Sequence, residues 1–230
     1  MAPQELPESA AAKRNLRPIL EVLRAHLSLE ALGLPAGLAR PEHAPSADDR
    51  GPLFIELGCG YGQHAVAYAD AFPHLVWQPT DVDADKIAVT NARIASLEPG
   101  TCPDNLRDAV GLDIARRPWR ELGLPAVGAL AINVVHVAPL DTAQQLFLGA
   151  GDALAPGAAL FTYGPYKFDG AFTSPSNADF DRWLKEHDPS WGVREIEVLD
   201  MFASCGGFER EQVVDLPANN HLVVWRKAAA

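Results

Sequence analysis

Apolar residues recur at helical spacing near the start of the chain, at Leu16, Ile19, Leu20, Leu23 and Leu27. This predicts a first helix with Pro18 in its opening turn. Residues 1–12 are rich in Pro and Ala and read as a frayed terminus. Residues 33–51 carry repeated Gly and Pro plus Asp48-Asp49-Arg50, and read as a loop. From Leu53 onward, short apolar runs alternate with helical patterns. Leu53-Phe54-Ile55 is a strand ending at Glu56, and Gln63 to Phe72 a helix. Leu75-Val76-Trp77 opens a second strand ending at Asp81, and Ala84 to Leu97 a second helix. Ala109-Val110 is a weak strand ending near Asp113. Val127 to Val135 is a nearly continuous apolar run, the pattern of a strand covered on both faces. Asp141 is placed to cap a helix to Leu154, and Ala158 to Tyr163 follows the turn Pro156-Gly157 as a strand. Asn177 is placed to cap a helix burying Phe180, Trp183 and Leu184. A further helix from Glu195 to Ser204 stops at Gly206-Gly207. Phe208 to Leu216 and His221 to Trp225 close the pattern as two strands joined by Pro217-Ala218-Asn219-Asn220.

Strand–helix alternation predicts an α/β fold, a doubly wound parallel sheet with right-handed crossovers. The final strand pair predicts an antiparallel edge. No internal repeat or domain boundary shows, so residues 1–230 read as one domain, with 1–50 a helix-and-loop appendage over the site.

Composition narrows the partners. The formal net charge is -11, which weighs against a nucleic-acid substrate. No apolar run is long enough for a membrane span, and Met1-Ala2-Pro3-Gln4-Glu5 has no secretory pattern. The three cysteines, Cys59, Cys102 and Cys205, match no zinc or disulfide framework, so a reducing cytoplasm and no metal site are expected.

The candidate chemistry starts at Glu56-Leu57-Gly58-Cys59-Gly60-Tyr61-Gly62, between a strand and a helix. Glycines there permit a tight turn and close backbone approach to a ligand. Such a loop serves several cofactors. A dinucleotide pattern wants Gly or Ala where Gln63 stands. Glu56, at the strand end, suits the ammonium of a methionine moiety. Asp81, 19 residues after Gly62, suits ribose hydroxyls, and Asp113 suits an adenine amine. Together they make S-adenosyl-L-methionine (SAM) the expected cofactor and S-adenosyl-L-homocysteine (SAH) its product. The expected cofactor contacts are Glu56, Gly58, Cys59, Gly60, Gln63, Asp81, Val82, Asp113, Ile114 and Asn133.

Further pieces carry a resemblance. They are Arg14-Asn15, Gly62-Gln63-His64-Ala65, Trp77 to Asp83, Ile132-Asn133 with His136, and Tyr163-Gly164-Pro165-Tyr166. Ser176-Asn177 with Phe180-Asp181, Asp188-Pro189 with Trp191-Gly192, and Pro217 to Asn220 follow. In these the chain resembles the methyltransferase-like protein 26 family, a branch of class I SAM-dependent methyltransferases. The resemblance implies a seven-stranded Rossmann-like sheet and SAM, and says little about the acceptor. Three places depart from that pattern. Gly58-Cys59 stand where the family tends to have Ala-Ser, Lys13 where it often has an acid, and the stretch from Leu29 to Arg50 is longer than usual.

Ligands of open α/β sheets bind outside the carboxyl ends of the strands. Asn133, His136, Tyr163 and Tyr166 read as strand-end residues, with Arg14, Asn15, Asn177, Asn219 and Asn220 in loops or helix starts. Methyl transfer from a sulfonium is an in-line displacement, so the main task is alignment. An anionic acceptor needs no base, and Arg14 is suited to hold an acidic one. A hydroxyl or amine acceptor wants a base, for which His136 is the candidate, with Tyr166 beside it. Arg14, Asn15, Tyr163, Asn177, Asn219 and Asn220 are the candidate acceptor contacts. Plainer readings stand beside these. Asn15 and Asn177 suit helix caps, Tyr163 and His136 suit satisfied packing, and Asn219-Asn220 suits a left-handed turn. Cys59 reads as a small loop residue, His64 as structural, and Trp77 and Trp183 as core.

The expectation is therefore a methyltransferase for a small, in one version acidic, molecule, working as a monomer or homodimer. Its alternative is a SAM-binding regulatory or interaction module without turnover. A nucleotide-dependent oxidoreductase and a protein or nucleic-acid methyltransferase are weaker options.

Overall fold

The computed structural model describes residues 6–35, 51–98, 100–119, 122 and 125–229. Most of the expected 33–51 loop, from 36 to 50, lies outside the described residues. The helices are α1 (Ala10–His26), α2 (Gln63–Ala71), α3 (Ala84–Ala95), α4 (Leu140–Ala153), α5 (Pro175–His187) and α6 (Ile196–Cys205). The strands are β1 (Leu53–Leu57), β2 (Val76–Asp81), β3 (Val110–Gly111), β4 (Ala126–Ile132) and β5 (Leu154–Gly164). Then come β6 (Tyr166–Phe168), β7 (Ala171–Phe172), β8 (Arg194–Glu195), β9 (Phe208–Leu216) and β10 (Asn220–Lys227). Seven strands form one sheet in the order β3-β2-β1-β4-β5-β10-β9, in which β10 runs antiparallel to both neighbours. A small second sheet has the order β7-β6-β8. The expected doubly wound sheet with an antiparallel last strand and an added N-terminal helix is the one found. The chain forms two compact units, dividing after Leu112.

In the first unit β1 and β2 are buried at every position and pair in parallel, which fits the apolar residues that open them, Leu53-Phe54-Ile55 and Val76-Trp77, ahead of the polar Glu56, Gln78, Thr80 and Asp81. Trp77 is fully buried, with its ring stacked 4.5 Å from Phe54. Asn105, itself buried, donates from Nδ2 to the carbonyls of Ala69, Phe72 and Leu75. One side chain thus satisfies the end of α2 and the start of β2. Helix α1 begins earlier than its apolar spacing implies. Its N-cap is Ser9, whose Oγ accepts from Ala12 N, so the cap reading of Asn15 and the first-turn reading of Pro18 are both corrected. Pro18 sits well inside the helix and Asn15 is buried on its inner face with Ile19 and Leu23.

In the second unit β4 pairs with β5 in parallel and β10 pairs with β5 and β9. Trp225 is fully buried, edge-on to Phe147 at 4.9 Å, and donates through Nε1 to Thr162 Oγ1 at 3.0 Å. Helix α4 starts after Pro139, so Asp141 lies in its first turn and is not the cap. Helix α5 is capped by Ser174, whose Oγ accepts from Asn177 N, and opens with Pro175. Asn177 is therefore a helical residue and not a cap. Trp183 is not core either, being 48% exposed. The buried stripe of α5 runs through Asn177, Asp181 and Leu184, and Trp183 falls one position beside it. It instead stacks on Phe180 at 5.8 Å, with His187 against it at 3.9 Å.

Candidate functional site

In the first unit, the loop after β1 is built from left-handed turns. Gly58, Gly60 and Gly62 have φ of 72°, 58° and 73°, a region that favours glycine. A Cβ on Gly62 would lie 2.7 Å from Thr90 Cγ2, whereas one on Gly60 would meet nothing within 4 Å. Gly62 is thus demanded by packing, and Gly60 leaves open space above its backbone. Side chains of β2 and α3 fix the loop. Asp81 Oδ2 accepts from Gly60 N at 2.9 Å, and Thr90 Oγ1 donates to Gly60 O at 3.0 Å. Arg93 Nε donates to Tyr61 O at 2.7 Å. Thr90 and Arg93 were not among the expected site residues. Their signal was a polar pair three apart on α3, at helical neighbour spacing.

Glu56 is buried at the end of β1 beside this loop. Trp77 Nε1 donates to its Oε2 at 2.8 Å, and no Lys or Arg among the described residues pairs with it. Loss of hydration pushes its carboxyl up to about 8; the Trp77 bond offsets part of this and the charge of Asp81 adds to it. A buried carboxyl in this condition is suited to receive a cationic group. Asp81 Oδ1 also accepts from Asp83 N at 3.0 Å, so both carboxylate oxygens are oriented by backbone. Val82 follows it with 69% of its surface exposed, an apolar face next to an acid. These features fit a ligand with an ammonium, hydroxyls and a flat apolar part.

Other expected contacts are already engaged. Cys59 is buried with Sγ 3.7 Å from Thr90 Oγ1, and burial pushes its thiol up to about 12, which removes any nucleophilic role. Gln63 opens α2, and its Oε1 accepts from Ser9 N at 2.6 Å. Asn15 Oδ1 lies 2.8 Å from His64 Nε2, and burial lowers His64 to about 4, so its ring is neutral and joins α1 to α2. Arg14 points outward and is exposed.

In the second unit, Asp113 and Ile114 are half-buried. Asp113 Oδ1 accepts from Ala115 N at 3.0 Å and its Oδ2 lies 3.2 Å from Arg116 Nε. Asn133 follows β4 with φ of 56°, an uncommon backbone state for a non-glycine, and donates from N to Tyr163 O at 2.8 Å. The β-register pairs Ile132 with Tyr163 and Gly164 with His221, so the end of β4, the end of β5 and the start of β10 share one edge. This is the carboxyl edge of the parallel strands.

His136 and Tyr166 are inside this unit. His136 is buried beside Gly164, where an added Cβ would meet its Cε1 at 2.6 Å, and edge-on to Phe180 at 5.7 Å. Burial first, and Arg194 second, lower it to about 3, and its Nδ1 has no partner. Tyr166 is fully buried and donates to Thr162 Oγ1 at 2.9 Å, with its hydroxyl pKa raised by burial. Tyr163 is also buried. Neither expected catalytic side chain reaches solvent in this structure.

Asn177 and Asn219 do come together. Asn177 Nδ2 donates to Asn219 O at 2.9 Å and to Thr173 Oγ1 at 2.8 Å. Ala218 and Asn219 take φ of 63° and 56°, the turn reading of this tip, and Asn220 Nδ2 donates back to Ala218 O at 3.2 Å. Beside the tip is a cleft of about 530 Å³ walled by Phe168, Thr173, Asp215, Asn219, Asn220 and His221. Phe168, Thr173, Asp215 and His221 were missed. They lie in short or alternating strands and loops that carry no sequence motif, and only the hairpin register gathers them.

Among the described residues no helix is long and apolar enough to cross a membrane. The fold is shared with several solved structures. The chain matches a putative O-methyltransferase from Nostoc punctiforme PCC 73102 at 17% identity, with a TM-score of 0.69 over 95% of this chain and 58% of that one. It matches magnesium protoporphyrin IX methyltransferase from Synechocystis PCC 6803, solved with bound SAH, at 12% identity and a TM-score of 0.63, covering 98% of this chain and 90% of that one. Mitomycin 7-O-methyltransferase matches at 17% identity and a TM-score of 0.64, over 77% of this chain and 49% of that one. The chain thus spans about half to three-fifths of the length of two of these three relatives. The family model described as "Protein of unknown function (DUF938)" matches residues 42–227, and the chain belongs to that family.

Proposed function

We propose that this protein binds SAM through its first unit and transfers its methyl group to a small-molecule acceptor. The carrying observation is Glu56, a buried carboxyl with no cation against it among the described residues, beside a glycine loop whose Gly60 backbone is open and is anchored by Asp81. Glu56 would take the ammonium, Asp81 the ribose hydroxyls and Val82 one face of the adenine. The resemblance to the methyltransferase-like protein 26 family and the methyltransferases of the same fold support this reading. When bound, SAM supplies a methyl on a cationic sulfur, and transfer leaves the neutral thioether SAH. What the chain must add is alignment, which supplies roughly 7–11 kcal/mol in well-oriented reactions. The three free cysteines fit a reducing cytoplasm, and the net charge of -11 weighs against a nucleic-acid acceptor; on this reading the protein works as a monomer or homodimer away from membranes.

A second reading has a specific observation in its favour. His136 and Tyr166 are both buried and uncharged, so a SAM-binding module without turnover also fits. Incubation with methyl-labelled SAM and a metabolite extract separates the two. Label in a low-molecular-weight product supports transfer. Binding of SAH with no labelled product supports the module.

A further inference from the structure

Within the first unit, the residues ahead of α1 are fastened to the glycine loop itself. Ser9 N donates to Oε1 of Gln63, the residue that follows Gly62, at 2.6 Å. Arg93, on α3, has 17% of its side chain exposed, and its guanidinium reaches both parts. Nε donates to Tyr61 O in the loop at 2.7 Å, and Nη2 donates to Pro7 O at 2.7 Å. Glu8 pairs with Lys13 and lies 4.0 Å from Arg93 Nη1. The body of α1 is held separately, against α2. There Asn15 meets His64, and the Tyr68 hydroxyl donates to Leu16 O at 3.0 Å. The bonds from Gln63 and Arg93 are therefore not what attaches the helix; they tie its leading turn to the loop.

The physical consequence lies in the loop glycines. Gly58, Gly60 and Gly62 all have positive φ, and glycine loses more backbone freedom on being fixed than any other residue. Asp81 and Thr90 fix Gly60 from one side. Arg93 fixes Tyr61 O, and its planar fork serves the loop and the leading turn with separate nitrogens. A loop already ordered binds a ligand at a lower ordering cost. Two partners that order the same loop therefore favour each other.

We propose that residues 7–12 form a strap coupled to occupancy of the glycine loop, with Arg93 and Gln63 as the positioning residues that carry the coupling. A docked strap tightens the cofactor, and the cofactor holds the strap down by the same factor. The identity of the ligand rests on the proposed SAM reading; the link between strap and loop does not.

The test is hydrogen exchange of the full chain by mass spectrometry, with and without SAH, beside calorimetry of SAH binding. Saturating SAH is expected to slow exchange in residues 6–16 roughly fivefold. Arg93→Lys keeps the charge but puts one nitrogen in place of a fork. It should cut that response below about twofold and weaken SAH roughly fivefold. Gln63→Leu, which removes the acceptor of Ser9 N, should weaken SAH roughly threefold and reduce the response in step. A merely structural Arg93 would lower the thermal midpoint and leave the response of the strap to SAH intact. The inference is overturned if SAH binds and the strap exchanges at an unchanged rate, or if both variants respond as the unmodified chain does. Should Arg93→Lys fail to fold, Gln63→Leu decides alone. Absence of any SAH binding removes the cofactor reading, and the strap is then decided in the free protein. There the variants should speed exchange of residues 6–16 and 58–62 together, and no common change overturns the link.

Discussion

Replacing Glu56 by Gln separates a ligand carboxylate from a merely buried acid. Burial holds Glu56 at about 8 against an ordinary value of 4.5, so it is mostly protonated at pH 7 in the free protein. A ligand ammonium favours the ionised form, so binding must expel the proton. Ionising the group at pH 7 costs about 1.4 kcal/mol, one pKa unit. The apparent affinity for SAH should therefore rise roughly tenfold from pH 6 to 7, by less from 7 to 8, and level off above. Close to one proton should be released per SAH bound at pH 7, read by titration calorimetry in buffers of different ionisation enthalpy. Glu56→Gln should release none, lose the pH slope, and bind roughly 2 kcal/mol more weakly at pH 8, the scale of a hydrogen bond to a charged group. For folding alone the sign is the opposite. Protonated Glu56 gives its full stability below about 4.5, and loses it as pH climbs through about 8. An unchanged pH slope in Glu56→Gln, or binding without proton release, would refute the role given to this carboxyl.

Other expectations are more local. Gly62→Ala forces a Cβ into a left-handed turn 2.7 Å from Thr90 Cγ2, so it should cost about 1–3 kcal/mol and lower the thermal midpoint by several degrees. Asn105→Ala leaves the carbonyls of Ala69, Phe72 and Leu75 without their shared donor. A loss of about 2–3 kcal/mol should appear as a lower urea midpoint at constant slope. His136, held near 3 by burial, should stay neutral from pH 8 to 5 in imidazole ¹⁵N NMR. Its contribution to stability is present above the ordinary histidine pKa and is lost as pH falls toward 3.

Much of the first unit was legible because its chemistry and periodicity agree. The buried parallel strands open on short apolar runs, Leu53-Phe54-Ile55 and Val76-Trp77, and the loop glycines sit where φ is positive. The caps were harder. Ser9 and Ser174 hold the ends that Asn15 and Asn177 suited by residue type: Ser174 and Asn177 compete within one turn, and Ser9 begins α1 well before the apolar spacing shows it. The strands β6, β7 and β8 have two or three residues each, too few to show a period. Trp183 misled because a large apolar residue within a helix usually faces the core. His221 and Asp215 were hidden for another reason. They stand on either side of one hairpin turn in no recognisable motif, and become neighbours through the β9–β10 register.

The most direct test of the central claim is SAH binding to the intact chain by calorimetry, with Asp81→Ala and His136→Ala alongside. Saturable binding is expected for the unmodified protein, with marked weakening in Asp81→Ala, where the Gly60 anchor and the proposed ribose acceptor are both lost, and little change in His136→Ala. No heat of binding at high micromolar SAH, or equal affinity in Asp81→Ala, would contradict it.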